Sequence, residues 1–295
     1  MIIAAVDLGT NTFSLSICHV INGKLTLIHQ EKEGVMLGKG GINEGFIAPD
    51  ALQRALDCLG RFKESCVNYG AVEIRAIGTS AIRGAANGVD LIQKANALHQ
   101  INITIIDGIQ EANFIYQGIA SAHSFSEPSL IMDIGGGSTE LIFADQHGII
   151  DLMSFNIGIS RIYQLFELSD PLRDEEIKNI EKYLDDHAGS FVEAIKTPIL
   201  IGAAGSFETF YEMIYCKPFP NSFESQEIEM PLFKNILEEV IFSTYAVRKE
   251  HQHIIDIRKK LAPIAAIKTR WIINKLVATR IIVTPCSLKE GVLLS

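Results

Sequence analysis

"DIGGGSTELIF", residues 133–143, repeats in outline a stretch near the start of the chain, "DLGTNTFSLSI", residues 7–17. Each is a short apolar strand that ends in Asp, then a turn of Gly, Ser, Thr or Asn, then a second apolar strand. Written twice, this strand–turn–strand unit predicts two similar α/β domains that face each other across a cleft, with one turn presented from each side.

The chain around the two units fits that reading. Residues 2–7, 13–20 and 25–33 are short, rich in Ile, Val and Leu, and separated by turn residues such as Asn22-Gly23, so they predict a three-stranded meander. Pro49 and Asp50 precede a stretch in which Leu52, Leu56, Leu59, Phe62 and Cys66 recur at helical spacing. A strand at 72–79, a helix around 88–99, a strand at 103–106 and a helix at 110–123 continue the alternation. The polar "SFSEPS" (124–129) is the expected linker, dividing the chain into domains of residues 1–124 and 125–295. The second half repeats the opening and continues with a strand at 149–155 and helices near 159–167 and 174–188. A strand at 198–205, a largely helical run from about 229 to 277, a strand at 280–284 and a short final helix complete it.

Composition bounds the function. With 295 residues, 47% hydrophobic and 21% charged, the chain belongs with globular proteins of two ordinary domains. A formal charge of −9 argues against broad nucleic-acid binding, which rests on excess Lys and Arg. The opening "MIIAAVDLG" lacks a basic leader and reads as a core strand, and no apolar run reaches the roughly 18 residues of a membrane span. Five scattered cysteines without a C-x-x-C pair predict reduced thiols in a cytoplasmic protein.

A glycine-rich turn leaves successive backbone N–H groups free to converge on an anion. Gly135, Gly136, Gly137, Ser138 and Thr139 supply such amides and hydroxyls; Gly9, Thr10, Asn11 and Thr12 do so in the first half. A third turn, "IGAAGSFET" (201–209), runs into a helix whose N-terminus favours negative charge. Three such turns imply a phosphate ligand. Carboxylates accompany them: Asp133 and Glu140 flank the triple glycine and Asp7 mirrors Asp133, a set suited to Mg²⁺, which takes one or two carboxylates plus phosphate oxygens. Each Asp is equally able to cap its own turn. Glu111, in the first turn of the helix before the linker, either complements the helix dipole or activates a water attacking phosphorus.

These stretches resemble the exopolyphosphatase and guanosine pentaphosphate phosphohydrolase (Ppx/GppA) family, in the superfamily of actin, Hsp70 chaperones and sugar kinases. The matching segments are "DLGTNTFSL" (7–15), "IGTSAIRGAAN" (77–87), "DGIQEANFIYQGI" (107–119), "MDIGGGSTELI" (132–142), "NIGISRIYQLF" (156–166), "GAAGSFET" (202–209) and "SLKEGVL" (287–293). The resemblance implies two ribonuclease-H-like domains with Mg²⁺-dependent phosphoanhydride hydrolysis in the cleft between them. It places Glu111 and Asp133 in catalysis, and Asp133, Glu140 and Asp7 at the metal. On the phosphate it places Asn11, Thr12, Arg83, Gly136, Gly137, Ser138, Gly205 and Ser206. The expected partner is polyphosphate or guanosine pentaphosphate, with no nucleic acid and no membrane; a homodimer is left open.

The chain departs from the family pattern at Phe13-Ser14, where many members carry Arg or His, and at Arg258-Lys259-Lys260, where Lys260 replaces an acid. It also stops near the length of the two-domain core. An ATP-dependent small-molecule kinase and a non-catalytic alarmone sensor are the competing readings. The kinase is disfavoured because the Glu111 helix suits activation of water, which phosphotransfer to an alcohol must exclude. The basic residues of "RKKLAPIAAIKTR" (258–270) read as a solvated face or, less often, as a track for polyphosphate. The two histidines of "HQH" (251–253) read as unsuited to a shared metal.

Overall fold

The computed structural model describes residues 1–203 and 205–295. The first half forms β1 (Ile2–Leu8), β2 (Phe13–Ile21), β3 (Lys24–Glu33), α1 (Pro49–Asn68), β4 (Glu73–Gly78), α2 (Ser80–Arg83), α3 (Gly88–His99), β5 (Ile103–Ile105) and α4 (Gly108–Ala120). α4 starts two residues earlier than its apolar spacing predicts. Asp107 is its cap, accepting from Gln110 N while the Gln110 side chain accepts from Asp107 N.

The second half forms β6 (Ser129–Ile134), β7 (Thr139–Asp145), β8 (Gly148–Phe155), α5 (Ile159–Leu165), α6 (Asp174–Leu184), α7 (Ser190–Ala194), β9 (Ile199–Ala203) and α8 (Gly205–Tyr215). β10 (Gln226–Ile228), α9 (Met230–Phe242), α10 (Tyr245–Glu250), α11 (Ala262–Leu276), β11 (Arg280–Thr284) and α12 (Leu288–Leu294) follow. The helix expected at 174–188 passes through a π-helical turn, Asp185–Gly189, before α7, and the run expected at 229–277 is broken into three helices. The short α2 and β10 were not legible in the sequence pattern.

The strand orders confirm the duplication. The first sheet runs β3-β2-β1-β4-β5 and the second β10-β11-β9-β6-β7-β8. In both, an antiparallel meander is followed by parallel strands added beside its first member: β4 on β1 and β9 on β6. This is the two-domain ribonuclease-H-like, actin-like α/β arrangement.

Three cores hold it together. One lies under the first sheet with α1 and α3, and one under the second with α6, α9 and α11. The third lies between the sheets. Ile3, Ala5 and Ile77 meet Ile131, Ile142, Ile201 and Ile282 through Ala112, Ile115 and Ile119 of α4 and Leu288 and Val292 of α12. The two helices are exchanged: α4 packs on β7 and β8 of the second sheet, whereas α12 packs on β1, β2 and β3 of the first. They cross so closely that a Cβ at Gly118 would lie 2.1 Å from Ser287 O, and one at Gly291 would lie 1.9 Å from Phe114 O. The crossing therefore needs glycine on both helices, and it ties the end of the chain to the helix that carries Glu111.

Candidate active site

The β1–β2 and β6–β7 hairpins carry Asp7 and Asp133 at the same register, one residue before each strand ends. Asp7 lies opposite Ser14, and Asp133 opposite Glu140. The parallel neighbours bring two further turns alongside: β4 delivers Thr79 and α2 next to the first hairpin, and β9 delivers Gly205 and α8 next to the second. "TSAIR" and "GSFET" are thus structural counterparts, so four segments converge where the sequence suggested three. Ala204, in the third turn, lies outside the described residues.

The two glycine-bearing turns touch. A Cβ on Gly136 would fall 2.8 Å from Asn11 Nδ2 and from Thr10 Cβ, and one on Gly137 would fall 2.6 Å from Ser80 Oγ. Behind the second turn, the amides of Gly158, Ile159 and Ser160 donate to the carbonyls of Gly137, Gly135 and Gly136. Because C=O and N–H point in opposite directions across a trans peptide, this fixes the turn's own amides away from that support. Gly158 is the tightest point, since a Cβ there would lie 2.2 Å from Gly136 O and 2.4 Å from Gly137 C. Gly158→Ala must push the whole turn toward Asn11. We expect a raised KM for the phosphate substrate with a folded protein, read by steady-state kinetics beside a thermal melt. An unchanged KM would show that the turn tolerates displacement.

The halves are bolted across one flank of the cleft. Arg161 Nε donates to Gly137 O at 2.8 Å and its Nη1 to Ile42 O at 2.9 Å, while Asn43 Nδ2 donates to Arg161 O. Gln164 Nε2 donates to Gly38 O, and Ser160 Oγ to Asn11 Oδ1 at 2.7 Å. The "GKGGIN" loop (38–43) therefore clasps the opposite domain.

Four carboxylates lie at the bottom. Glu111, 7% exposed, accepts from Arg83 Nη1 at 3.0 Å, and Arg83 is steadied by donating to Ile106 O at 2.8 Å. Glu140 accepts from Ser154 Oγ at 2.7 Å, and Asp133 accepts from Ser287 Oγ. The Oδ1 of Asp7 is buried without a hydrogen-bond partner among the described residues. Burial pushes Asp7 and Glu111 up to about 7 and Asp133 up to about 6. Lys289 pulls against it at Asp7, Arg83 at Glu111, and Ser287 with Lys289 at Asp133. Glu140 is pushed well above the usual range by burial, then by Glu111 and Asp133. Such mutual repulsion, with an orphaned Asp7 oxygen, is the electrostatic demand that a hard cation answers. Among the described residues no three His, Cys, Asp or Glu side chains form a ready metal cage. That suits an ion held by one or two carboxylates and completed by phosphate oxygens and water.

The central cleft encloses about 160 Å³ and is lined by Asp7, Asn11, Thr12, Asp133, Gly136, Gly205 and Ser206. It shares Asp7 and Asp133 with a smaller recess of about 80 Å³ that Glu111, Gly137, Ser138 and Glu140 line. Of the residues expected from sequence, Arg83 and Thr139 line neither: Arg83 pairs with Glu111, and the Thr139 hydroxyl accepts from Lys268. Sequence reasoning missed two cations in the cleft wall, Lys32 and Lys289, although Lys289 stands in the quoted "SLKEGVL"; the third, Arg258, belongs to the basic segment that the sequence singled out. It also missed Lys268, fully buried, whose Nζ donates to Thr139 Oγ1 and Ile157 O beneath the second turn.

The basic segment is not a uniform solvated face. Arg258 lines the cleft and donates to Thr209 Oγ1 at 2.9 Å. Lys259 is held by Asp256 and Lys249 O, and Lys260 sits over the Tyr245 ring.

The Ppx/GppA phosphatase family profile matches residues 16–295. The chain belongs to this family. An exopolyphosphatase from Cytophaga hutchinsonii of known structure is 33% identical, with a TM-score of 0.95 over 99% of this chain and 96% of that one. The Aquifex aeolicus PPX-GPPA enzyme shares the fold at 23% identity, with a TM-score of 0.82 over 100% and 99% of the two chains. A guanosine-5'-triphosphate,3'-diphosphate pyrophosphatase from Aliivibrio fischeri is 36% identical over 155 residues, 52% of this chain and 31% of its own length. The aligned stretch thus spans about a third of that relative. A putative exopolyphosphatase from Haemophilus influenzae is 25% identical over 86% of this chain and 80% of its own. Among the described residues no helix is long and apolar enough to cross a membrane.

Proposed function

We propose that this Ppx/GppA protein removes the terminal phosphate of inorganic polyphosphate by attack of water, in domains of residues 1–124 and 125–295 that meet at the cleft. The observation that carries the reading is Glu111. It is a buried carboxylate held by Arg83 and raised to about 7, in a recess continuous with the two phosphate-suited turns. Ionised, it accepts a proton from the attacking water as the new O–P bond forms and the bridging P–O bond breaks, leaving the shortened chain with the electron pair. Amides of Gly136, Gly137 and Ser138, with Asn11, Thr12, Gly205 and Ser206, offset charge on the phosphoryl oxygens. One or two of Asp133, Glu140 and Asp7 would hold Mg²⁺, which when bound neutralises phosphate oxygens.

Guanosine pentaphosphate is the second reading, favoured by the Aliivibrio relative's name and by Phe219 and Phe223 in a side cavity. Polyphosphate is preferred because among the described residues no aromatic side chain lines the central cleft to stack a base, and Phe13 is buried in the core. Five free cysteines, four of them buried, support a reducing, cytoplasmic setting. A phosphate-release panel in Mg²⁺ over short and long polyphosphate, guanosine pentaphosphate and ATP tests this. We expect the highest kcat/KM on polyphosphate. A preference for the nucleotide would overturn the substrate while leaving hydrolysis standing, and release only with an alcohol acceptor would point to a kinase.

A further inference from the structure

Opposite the Arg161 clasp, the other flank of the cleft is crossed by a second contact between the halves. Lys32 Nζ on β3 donates to Glu208 Oε2 on α8 at 2.8 Å, and Gln30 Nε2 donates beside it to Asn221 Oδ1. Lys32 and Lys289 line both the central cleft and a further cavity of about 180 Å³ beyond this bridge. A further cavity next to that wall, shared through Ile159, Ser206 and Arg258, holds only about 10 Å³.

Charge changes sign across the bridge. The cleft wall carries Lys32, Arg258 and Lys289, whereas the cavity beyond adds Glu208, Glu212 and Glu290. These carboxylates are fixed: Glu212 accepts from Phe219 N and Glu290 from Ser287 N, both at 2.9 Å. The Glu208 charge also favours the charged forms of Arg258 and Lys289. Neither Arg258 nor Lys289 has an ion-pair partner among the described residues. A side-chain carboxylate in the outer cavity thus holds one of the three cleft-wall cations, Lys32, by a direct ion pair.

We propose that Glu208 sets the chain length this site accepts, its carboxylate holding Lys32 at the boundary between the cleft and the outer cavity so that a polyphosphate longer than the cleft must displace it and then pass Glu212 and Glu290. The inference rests on the phosphate-end reading above. A short chain fits inside the bridge, where Lys32, Arg258 and Lys289 face it along with the Asp7 and Asp133 carboxylates of the metal end. A longer one must take Lys32 from Glu208 and place its next phosphates against carboxylates, a repulsion between like charges at low effective dielectric.

The test is Glu208→Gln against Glu208→Asp, with tripolyphosphate and a long-chain polyphosphate as probes and a thermal melt to establish folding. Both equilibrium binding and phosphate release are measured. Glu208→Gln should raise the long-to-short ratio of affinity and of kcat/KM by about tenfold, the size of one like-charge contact toward the water-screened end of its range. Glu208→Asp, which keeps the charge, should retain the wild-type ratio, and added salt should shrink the difference. Adding Glu212→Gln should move the ratio further in the same direction. An unchanged ratio in Glu208→Gln, or an equal change in Glu208→Asp, overturns the proposal. If no polyphosphate is hydrolysed by the wild type, the substrate reading fails and the binding ratio still decides the role of Glu208.

Discussion

Glu111→Gln is expected to lower kcat for phosphate release by about 10² to 10⁴, the usual contribution of a general base, while leaving substrate affinity nearly intact. The amide keeps the volume of the side chain and an oxygen to accept from Arg83 Nη1, so the Arg83–Ile106 anchor survives. Only the acceptor for the water's proton is lost. Binding of polyphosphate to the variant by calorimetry separates this from general damage, and a variant keeping half the wild-type rate contradicts the assignment. The pH profile gives a second readout. Burial pushes Glu111 up to about 7 and Arg83 pulls against it, and a base works only when deprotonated. The kcat/KM of the wild type should therefore rise with pH through about 7 and then level. Replacing Arg83 with Met removes the cation that favours the carboxylate, so the rising limb should move to higher pH.

The hairpins were legible because their signal is local: each strand, turn and flanking Asp lies within eleven residues, and the second hairpin repeats the first. Register then follows, since the pairing that buries Ile131 and Ile142 also sets Asp133 opposite Glu140. The clasp was not legible. Arg161 meets Ile42 and Asn43 across more than a hundred residues, and "GKGGIN" in isolation looks like a weak nucleotide motif. Nor did any local pattern announce the exchange of α4 and α12, which depends on two glycines, Gly118 and Gly291, meeting backbone to backbone.

Lys268 shows a different limit. Read as one more basic letter of the 258–270 segment, it seemed destined for solvent, yet α11 is apolar nearly all round, and a helix of that kind is buried on every face. Its ammonium is satisfied by Thr139 Oγ1 and Ile157 O, and burial pushes it down to about 7. The helix-wide pattern held the signal that the residue alone did not. Lys289 and Ser287 were in a quoted motif, but their place beside Asp7 and Asp133 comes from α12 lying on the first sheet.

Asp133→Asn should raise the Mg²⁺ concentration needed for half-maximal activity more than any other single change in the acidic group. The reasoning starts from Ser287, whose hydroxyl donates to Asp133. Removing such an orienting partner costs about 10- to 100-fold in metal affinity, which is the expectation for Ser287→Ala. Exchanging the carboxylate itself for an amide, a weaker ligand for a hard cation, should cost at least as much. The metal-free protein supplies a readout independent of turnover. Burial raises Asp133 to about 6, above its ordinary 3.8. Such a group contributes stability below its unfolded value that is lost as pH rises through its folded value. At pH 8 without divalent metal, Asp133→Asn should therefore melt at a higher temperature than the wild type, because it removes a buried charge. Mg²⁺ should raise the melting temperature of the wild type, as any ligand of the native state does, and raise that of the variant much less. An unchanged Mg²⁺ midpoint together with an unchanged response of the melting temperature would leave Asp133 as a residue that only shapes its turn, and would move the metal to Glu140 and Asp7.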